Sequence, residues 1–339
     1  MIEIIIFLAL NLNIFFISKY FIKKKFLLNQ SGETHQRFVE KLNIPLIIGF
    51  YFLTTFIYVY PSIEKLAFLI LIFLLGLSSD LKLINSPKKR FFLQALIFII
   101  FIYYLDLRIL NSRIEFVDNI LESNFFNFIF VLFCLMVLVN GTNFIDGLNG
   151  LVIGYYFIVS LLLINSGFFD QSILNDNKIF IYFLTFLIMW IANIFRKGFL
   201  GDSGSYLMGS IFGVLMIKFH QNYSNISPYY IILLLWYPCF ENLFSIIRKF
   251  GLNRSPIYPD NNHFHQLTFF YIKEKYKLTD VQSNNFASIT ILFFVSVFLC
   301  LGSINPYSTN LQSLILIIFS ISYFIIYKLL LKFKLYFKK

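Results

Sequence analysis

Charged residues are scarce in this chain of 339 residues. Asp, Glu, Lys and Arg together make up 13% of the sequence, whereas hydrophobic residues make up 58% and the mean hydropathy is +0.76. A single soluble core cannot bury so many apolar side chains. The sequence therefore predicts an integral membrane protein of the all-α class.

Cysteine is also rare, and several familiar motifs are missing. Cys134, Cys239 and Cys300 lie singly in apolar runs without CxxC spacing, which favours inert packing residues. The nucleotide-binding pattern GxxxxGK followed by Ser or Thr does not occur. Residues 1–18 lack a basic stretch and a small-residue cleavage site, so we expect a retained helix there and not a signal peptide.

Long apolar runs dominate the remaining sequence. A helix needs about 20 mostly apolar residues to cross the hydrocarbon core. The candidate runs lie near residues 2–18, 43–61, 66–78, 92–106, 125–139, 148–166, 179–195, 204–219, 228–247, 286–304 and 312–331. Since we find no internal repeat and no soluble domain, residues 1–339 are predicted to form one polytopic membrane domain with about 10–11 transmembrane helices.

The basic residues indicate how these helices are threaded. With the N-terminus outside, all but five of the 28 Lys and Arg residues fall on the cytoplasmic side, as the positive-inside rule requires. The exceptions are Lys65, Arg108, Arg113, Lys178 and Lys218. The C-terminus is then cytoplasmic. The net charge of +11 indicates topology and contact with membrane lipids, and no nucleic acid partner is expected because no soluble basic domain is present.

Polar clusters gather on the same predicted face. Four cytoplasmic loops, near 78–94, 140–150, 196–205 and 248–285, carry ionisable side chains within short polar motifs. Those side chains include Asp80, Asp146, Asp202, His263 and His265. Asn, Asp and Gly near helix ends are ordinary cap and turn residues, so each loop alone has a structural explanation. Together, with carboxylates at the edges of apolar segments, they predict one functional site.

Two of the motifs indicate the chemistry of this site. In "VNGTNFIDGLNGLV", Asn140, Asn143, Asp146 and Asn149 follow one another at a spacing of three, which places them on one side of a helix or helix end. In "GFLGDSGS", the glycines allow close backbone approach to a ligand, and Asp202 can meet a hard cation at the start of a helix. Because Mg²⁺ is commonly held by one or two carboxylates plus phosphate oxygens, a phosphate substrate is expected.

The ordered motifs "GLSSD…KKRFFLQ", "NGTNFIDGLNGL", "FLGDSGSYLMG" and "SPIYPDNNHFHQ" resemble the polyprenyl-phosphate N-acetylhexosamine-1-phosphate transferases. The resemblance runs in register from about residue 34 to about residue 267. It implies Mg²⁺-dependent transfer, with Mn²⁺ as an alternative, of sugar 1-phosphate from a UDP-sugar to polyprenyl (undecaprenyl) phosphate. UMP would be released on the cytoplasmic side of the bacterial inner (plasma) membrane, and a lipid-linked cell-envelope polysaccharide would be initiated. A homodimer is left open.

The resemblance also implies roles for individual residues. Asp202 matches the Mg²⁺ ligand. Asp80 and Asp146 are the expected catalytic residues, and Asp146 also matches a donor-binding position. Phe199 matches an aromatic residue that stacks on uracil, and Lys88 and Arg90 match a basic segment for the lipid phosphate. The remaining positions expected to bind the nucleotide sugar are Asn143, Asn149, His263 and His265. Arg254 lies close enough in sequence to join the two histidines.

Two positions depart from the family pattern. The family usually has consecutive aspartates at the end of the third helix, whereas this chain has Ser79 before Asp80. We expect this loss to be tolerated, with Asp80 as the base or as the group that orients the phosphate. In "YPCFENLFSIIRK", Glu241 replaces a common Asp, which keeps the charge and changes its reach.

The last loop distinguishes branches of the family. Its SPxxPDxxHxH form resembles the branch that makes the GlcNAc primer and initiates O-antigen, whereas the phospho-N-acetylmuramoyl-pentapeptide branch usually has three consecutive histidines. That second branch remains an alternative. A lipid-linked sugar transporter is the alternative from another class, but it predicts ionisable groups near helix midpoints and on both membrane faces. A zinc site at His263 and His265 lacks a Cys or carboxylate partner at suitable spacing.

Overall fold

A computed structural model of the chain describes residues 16–28, 44–59, 63–165, 176–251, 253 and 261–337. Residues 16–24 are helical, and an isolated antiparallel bridge joins Leu28 to Pro45. The remaining helices are α1 (Ile48–Val59), α2 (Ile63–Asp80), α3 (Pro87–Tyr104), α4 (Glu115–Leu121), α5 (Asn124–Ile145), α6 (Leu151–Asn165), α7 (Asp176–Ile194), α8 (Gly201–Asn222), α9 (Pro228–Leu234), α10 (Trp236–Gly251), α11 (Phe264–Tyr276), α12 (Asp280–Ser303) and α13 (Thr309–Phe337).

These helices confirm an all-α polytopic membrane protein. Four of the described helices, α5, α7, α12 and α13, are long and apolar enough to span a bilayer, and α9 with α10 forms a fifth, broken candidate. Three shorter apolar helices are Ile48–Val59, Leu66–Asp80 and Leu151–Asn165. The run 2–18 falls mostly outside the described residues. The full number of spans and the external N-terminus remain predictions.

The predicted run 228–247 is not one straight helix. Its two parts, α9 and α10, meet at Leu235 with a bend of 77°. Pro238 lies in the first turn of α10, where it has no N–H to donate back to Leu234 and its ring would clash with a continuous helix. Proline is tolerated in a first turn, so the second helix restarts just before it.

Another difference lies in the predicted loop 248–285, where the structure forms α11. Hydropathy alone does not detect this helix, because Lys273, Glu274 and Lys275 lie near its C-terminal end. Its N-terminal half is nevertheless buried from Phe264 to Phe269, and the helix packs on α12 and α13. Tertiary packing of these residues, and not average hydrophobicity, stabilises the helix.

The chain divides into two compact units, residues 1–97 with 149–208 and residues 98–148 with 209–339. In the first unit, α1 and α2 approach the first turn of α8 so closely that only glycine fits. A Cβ on Gly76 would lie 2.4 Å from Cα of Ser203, and a Cβ on Gly49 would lie 2.8 Å from the backbone N of Gly204. This close approach brings Asp80, the last residue of α2, to the start of α8.

In the second unit, α5 packs closely on α10. A Cβ on Gly141 would lie 2.1 Å from the carbonyl oxygen of Pro238, and the Asn242 side chain donates to the carbonyl of Val137 at 2.9 Å. The C-terminal end of α5 is thereby fixed beside α10, which carries Glu241.

Candidate active site

The first unit brings two other predicted site residues, Asp80 and Arg90, next to Asp202 in the first turn of α8. Arg90 donates from one guanidinium nitrogen to Asp202 Oδ2 at 2.7 Å and to Ser79 Oγ at 2.6 Å. Ser79 Oγ in turn donates to the same Asp202 oxygen at 2.5 Å. The Arg90 and Asp202 side chains are 24% and 25% exposed, so this charge-assisted pair can meet a ligand from solvent.

Asp80 completes this cluster by capping α8. Its carboxylate accepts from the backbone N–H groups of Asp202 at 2.8 Å and Ser203 at 3.0 Å. These groups have no partner within their own helix, and a negative charge is favourable at a helix N-terminus. Gly201 has a φ of +71°, and a Cβ there would lie 2.8 Å from Asp80 Oδ2, so glycine allows the contact. Asp80 thus fixes the backbone that presents Asp202.

The protonation of Asp80 is also unusual. The pKa of the Asp80 carboxyl is raised to about 7. Burial is the larger cause, and the nearby Asp202 carboxylate adds to it. The hydrogen bonds with Asp202 and Ser203 act in the opposite direction. Asp80 follows the apolar run 66–78, at the edge of the membrane segment. Its carboxyl therefore changes charge near neutral pH.

The oxygen atoms of this cluster fit Mg²⁺ bound together with a phosphate. Asp202 offers a carboxylate and Ser79 a hydroxyl, both hard ligands of the kind that Mg²⁺ prefers. Among the described residues no group of three or more His, Cys, Asp or Glu side chains could hold a metal ion. A cation at Asp202 would therefore take further oxygen ligands from a phosphorylated substrate or from water.

The other predicted residues of the first unit have different surroundings. Lys88 is exposed in the first turn of α3, which also carries Arg90. Phe199 is half-buried, and its backbone pairs with Pro45 at 2.9 Å and Ile48 at 3.2 Å just before α8. Asn149 is buried in the turn before α6.

Asn193, which the motifs did not indicate, connects two of these segments. Its side chain accepts a hydrogen bond from the backbone N–H of Gly150 and donates to the carbonyl of Gly198 at 3.0 Å. It thereby ties the turn containing Asn149 to the segment before Phe199. The sequence signal for this role is a polar amide within the apolar run 179–195.

The second unit centres on the buried Glu241 of α10. One carboxylate oxygen lies 3.0 Å from Nδ1 of His263 and accepts from the backbone N–H of Phe264 at 3.1 Å. The other oxygen accepts from the hydroxyl of Tyr323 at 2.5 Å. Buried carboxylates are stable only when hydrogen-bonded in this way. Glu241 therefore anchors the start of α11, which carries both predicted histidines.

The two histidines stack on each other. Their ring centroids lie 5.6 Å apart, and Phe144 stacks on His263 at 5.5 Å. Burial, followed by the neighbouring His263, lowers the pKa of His265 to about 3, so this imidazole is neutral at physiological pH. Its Nδ1 is buried without a hydrogen-bond partner among the described residues. A Cβ on Gly147 would lie 2.6 Å from Nε2 of His265, so glycine admits this ring.

The spacing motif at the end of α5 is divided between the units. Asn143 lies in the last turn of α5, and Asp146 is the half-buried residue that ends the helix, donating its N–H to the Asn143 carbonyl at 3.3 Å. Both belong to the second unit, as do His263 and His265, whereas Asn149 belongs to the first. Arg254 lies outside the described residues.

Comparison with known proteins agrees with these motifs. A profile of glycosyl transferase family 4 matches residues 63–220. The chain is 28% identical over 130 residues to an undecaprenyl-phosphate alpha-N-acetylglucosaminyl 1-phosphate transferase of Thermotoga maritima. The aligned segment covers 38% of this chain and 39% of that protein. A Yersinia pestis protein of the same name is 26% identical over 191 residues, covering 54% and 52%.

A phospho-N-acetylmuramoyl-pentapeptide-transferase of Listeria innocua is 28% identical over 144 residues, covering 41% of this chain and 44% of that protein. The chain thus spans from about two fifths to about half of the length of these curated relatives. The matched segment includes Asp80, Arg90, Asn143, Asp146 and Asp202. Residues 63–220 of this membrane protein are thus similar to glycosyl transferase family 4.

Proposed function

We propose that the chain transfers N-acetylhexosamine 1-phosphate from a UDP-sugar to a polyprenyl phosphate, with release of UMP. The observation that supports this function best is the cluster of Asp202, Arg90 and Ser79 at the start of α8, with Asp80 capping the same helix. It combines a partly exposed carboxylate with a guanidinium, and these groups act on the counter-ions of phosphates and on phosphates themselves.

The reaction brings two anions together, and the residues of the first unit suit that task. Asp202 and Ser79 would hold Mg²⁺. When bound, this ion would neutralise negative charge on the donor pyrophosphate. The guanidinium of an arginine such as Arg90 can bind a phosphate through two N–H groups, and the exposed Lys88 adds positive charge on the same turn. We assign both to the phosphate of the lipid acceptor. Asp80 orients the backbone of Asp202, and with a pKa near 7 it can also take up a proton there.

The histidines of the second unit suit the donor. His263 is held by Glu241, and the neutral His265 can donate or accept a hydrogen bond to a sugar hydroxyl or phosphate. We assign His263 and His265, with Asn143, Asp146 and Asn149, to the nucleotide sugar. Phe199 would stack on the uracil, since its side chain is only half-buried.

The relatives favour GlcNAc as the sugar. The Thermotoga and Yersinia proteins carry that sugar in their names, and the HxH form of residues 263–265 resembles the GlcNAc branch. We place the reaction at the cytoplasmic face of the bacterial inner membrane, because the basic residues cluster on that predicted side. The donor arrives from the cytosol, and the lipid acceptor remains in the bilayer.

The proposal is tested with purified protein in detergent, undecaprenyl phosphate, Mg²⁺ and a panel of UDP-sugars. We expect UMP release with UDP-GlcNAc that stops when the lipid phosphate is omitted or when Mg²⁺ is chelated. Reactions lacking one component are the controls. Failure of a folded preparation to release UMP from every donor would contradict the transferase assignment.

Ser79 offers a sharper prediction, because here the chain departs from the family pattern. Ser79→Ala removes the hydroxyl that bridges Arg90 and Asp202, a contribution of about 1 kcal/mol, so we expect kcat to fall about fivefold. Ser78→Ala is the matched control, because among the described residues Ser78 Oγ donates to the carbonyl of Leu75 in its own helix, at 2.6 Å, and to no other group. Equal activity of the two variants would show that the Ser79 hydroxyl has no role.

A further inference from the structure

The C-terminal helix α13 carries a row of buried polar side chains. Tyr323, Tyr327 and Lys334 lie four and seven residues apart, a spacing of about one and two helical turns, so they share one face. All three are buried among apolar neighbours such as Phe319 and Leu330. Lys328 and Lys332 on the same helix are exposed, whereas Lys334 is only 7% exposed.

Tyr327 and Lys334 bond to Asn261 and Asn262, which precede His263, and Tyr323 bonds to Glu241. Lys334 Nζ donates to the carbonyl of Asn261 and to the side-chain oxygen of Asn262, the latter at 2.9 Å. Tyr327 donates to the carbonyl of Asn262 at 3.0 Å. Tyr323 donates to Glu241, which in turn contacts His263.

These contacts fix consecutive residues of the backbone. The carbonyls of Asn261 and Asn262 are held from α13, and the N–H of Phe264 is held by Glu241. A buried ammonium group is costly unless it is hydrogen-bonded, so Lys334 loses stabilisation if the segment moves away from it. The α13 side chains and Glu241 thus restrain the backbone on both sides of His263.

We propose that Tyr327 and Lys334 are positioning residues, which hold the segment 261–265 so that His263 and His265 are ordered before the sugar nucleotide binds. The role of the histidines in donor binding rests on the proposed function. If the segment were loose, its ordering would have to accompany donor binding, and affinity would fall. The acceptor lipid and the metal do not depend on this segment in the proposal.

The kinetic test uses Lys334→Met and Tyr327→Phe, each of which removes donors and keeps most of the side-chain volume. We expect the KM for UDP-GlcNAc to rise about tenfold while kcat and the KM for undecaprenyl phosphate change less than twofold. Lys332→Met and Tyr336→Phe are matched controls, since both residues are exposed on the same helix. Lys334→Arg keeps a hydrogen-bond donor and should therefore keep much of the affinity for UDP-GlcNAc.

A second measurement does not depend on catalysis. The folded protein is labelled with diethyl pyrocarbonate, and modification of His263 and His265 is followed by mass spectrometry. We expect faster labelling in Lys334→Met and Tyr327→Phe than in the two controls. His220, which is buried outside this segment, is the internal reference.

The outcomes separate the two proposals. Faster labelling with a raised donor KM supports the positioning role. Unchanged labelling in both variants overturns it, as does faster labelling in an active enzyme whose donor KM is unchanged. If the unchanged protein releases no UMP from any donor while the two variants are labelled faster, the anchoring by α13 is supported and the transferase assignment is rejected.

Discussion

Asp202→Asn is expected to lower the rate of UMP release by about a thousandfold, the size of effect seen when a charge-stabilising group is removed from an active site. The carboxylate of Asp202 receives bonds from both Arg90 and Ser79, and the proposed Mg²⁺ would bind there as well. An amide of the same size keeps the shape and loses the negative charge. The measurement is UMP release at saturating UDP-GlcNAc and undecaprenyl phosphate, over a range of Mg²⁺ concentrations.

Asp106→Asn is the control for this variant. Asp106 pairs with Arg108 at 2.7 Å, and its side chain is 70% exposed, so its charge contributes little to folding. We expect the control to retain full activity. If Asp202→Asn kept more than a tenth of the activity of the unchanged protein, Asp202 would not be the metal ligand.

Glu241→Ala is expected to have the largest effect on stability, with a loss of about 3 kcal/mol in the free energy of unfolding. Truncation would leave the Tyr323 hydroxyl, the Phe264 N–H and the His263 ring without their common partner in a buried position. It would also open a cavity beside α13. Thermal unfolding in detergent should show a midpoint lower by about 5–10 °C.

The exposed Glu122→Ala provides the reference for a Glu to Ala change without buried partners. Glu241→Gln keeps the volume and can still accept hydrogen bonds, so its midpoint should lie between those of Glu241→Ala and the unchanged protein. An unfolding midpoint of Glu241→Ala equal to that of Glu122→Ala would show that the network around Glu241 does not stabilise the fold.

Much of the helical architecture could be predicted because hydropathy is a local property. Each predicted run from 43–61 onward contains or overlaps a helix of the structure, and α5 begins within one residue of the predicted run 125–139. The helix ends were less accurate, because polar residues such as Asn143 continue α5 to Ile145. The average polarity of a window does not show that a polar residue is helical and packed.

The motifs predict which residues form the candidate site, but they do not predict how those residues are arranged. Asp80 was named as a catalytic group, yet its bonds to α8 join residues 122 and 123 positions apart, which no local pattern shows. Lys334 was counted among topological charges, because its partners lie 72 and 73 positions away. Such pairings arise from how the helices pack, so only the folded chain displays them.

Gly49 and Gly76, which contact the first turn of α8, also limit which substitutions this sequence can accept. A side chain at Gly76 or Gly49 would meet backbone atoms of residues 202–204, which cannot rotate aside as a flexible side chain can. At Gly251, by contrast, no atom of the described residues lies within 4 Å of an added Cβ. Any substitution at Gly76 would have to be accompanied by a shift of α2, and with it the carboxylate of Asp80.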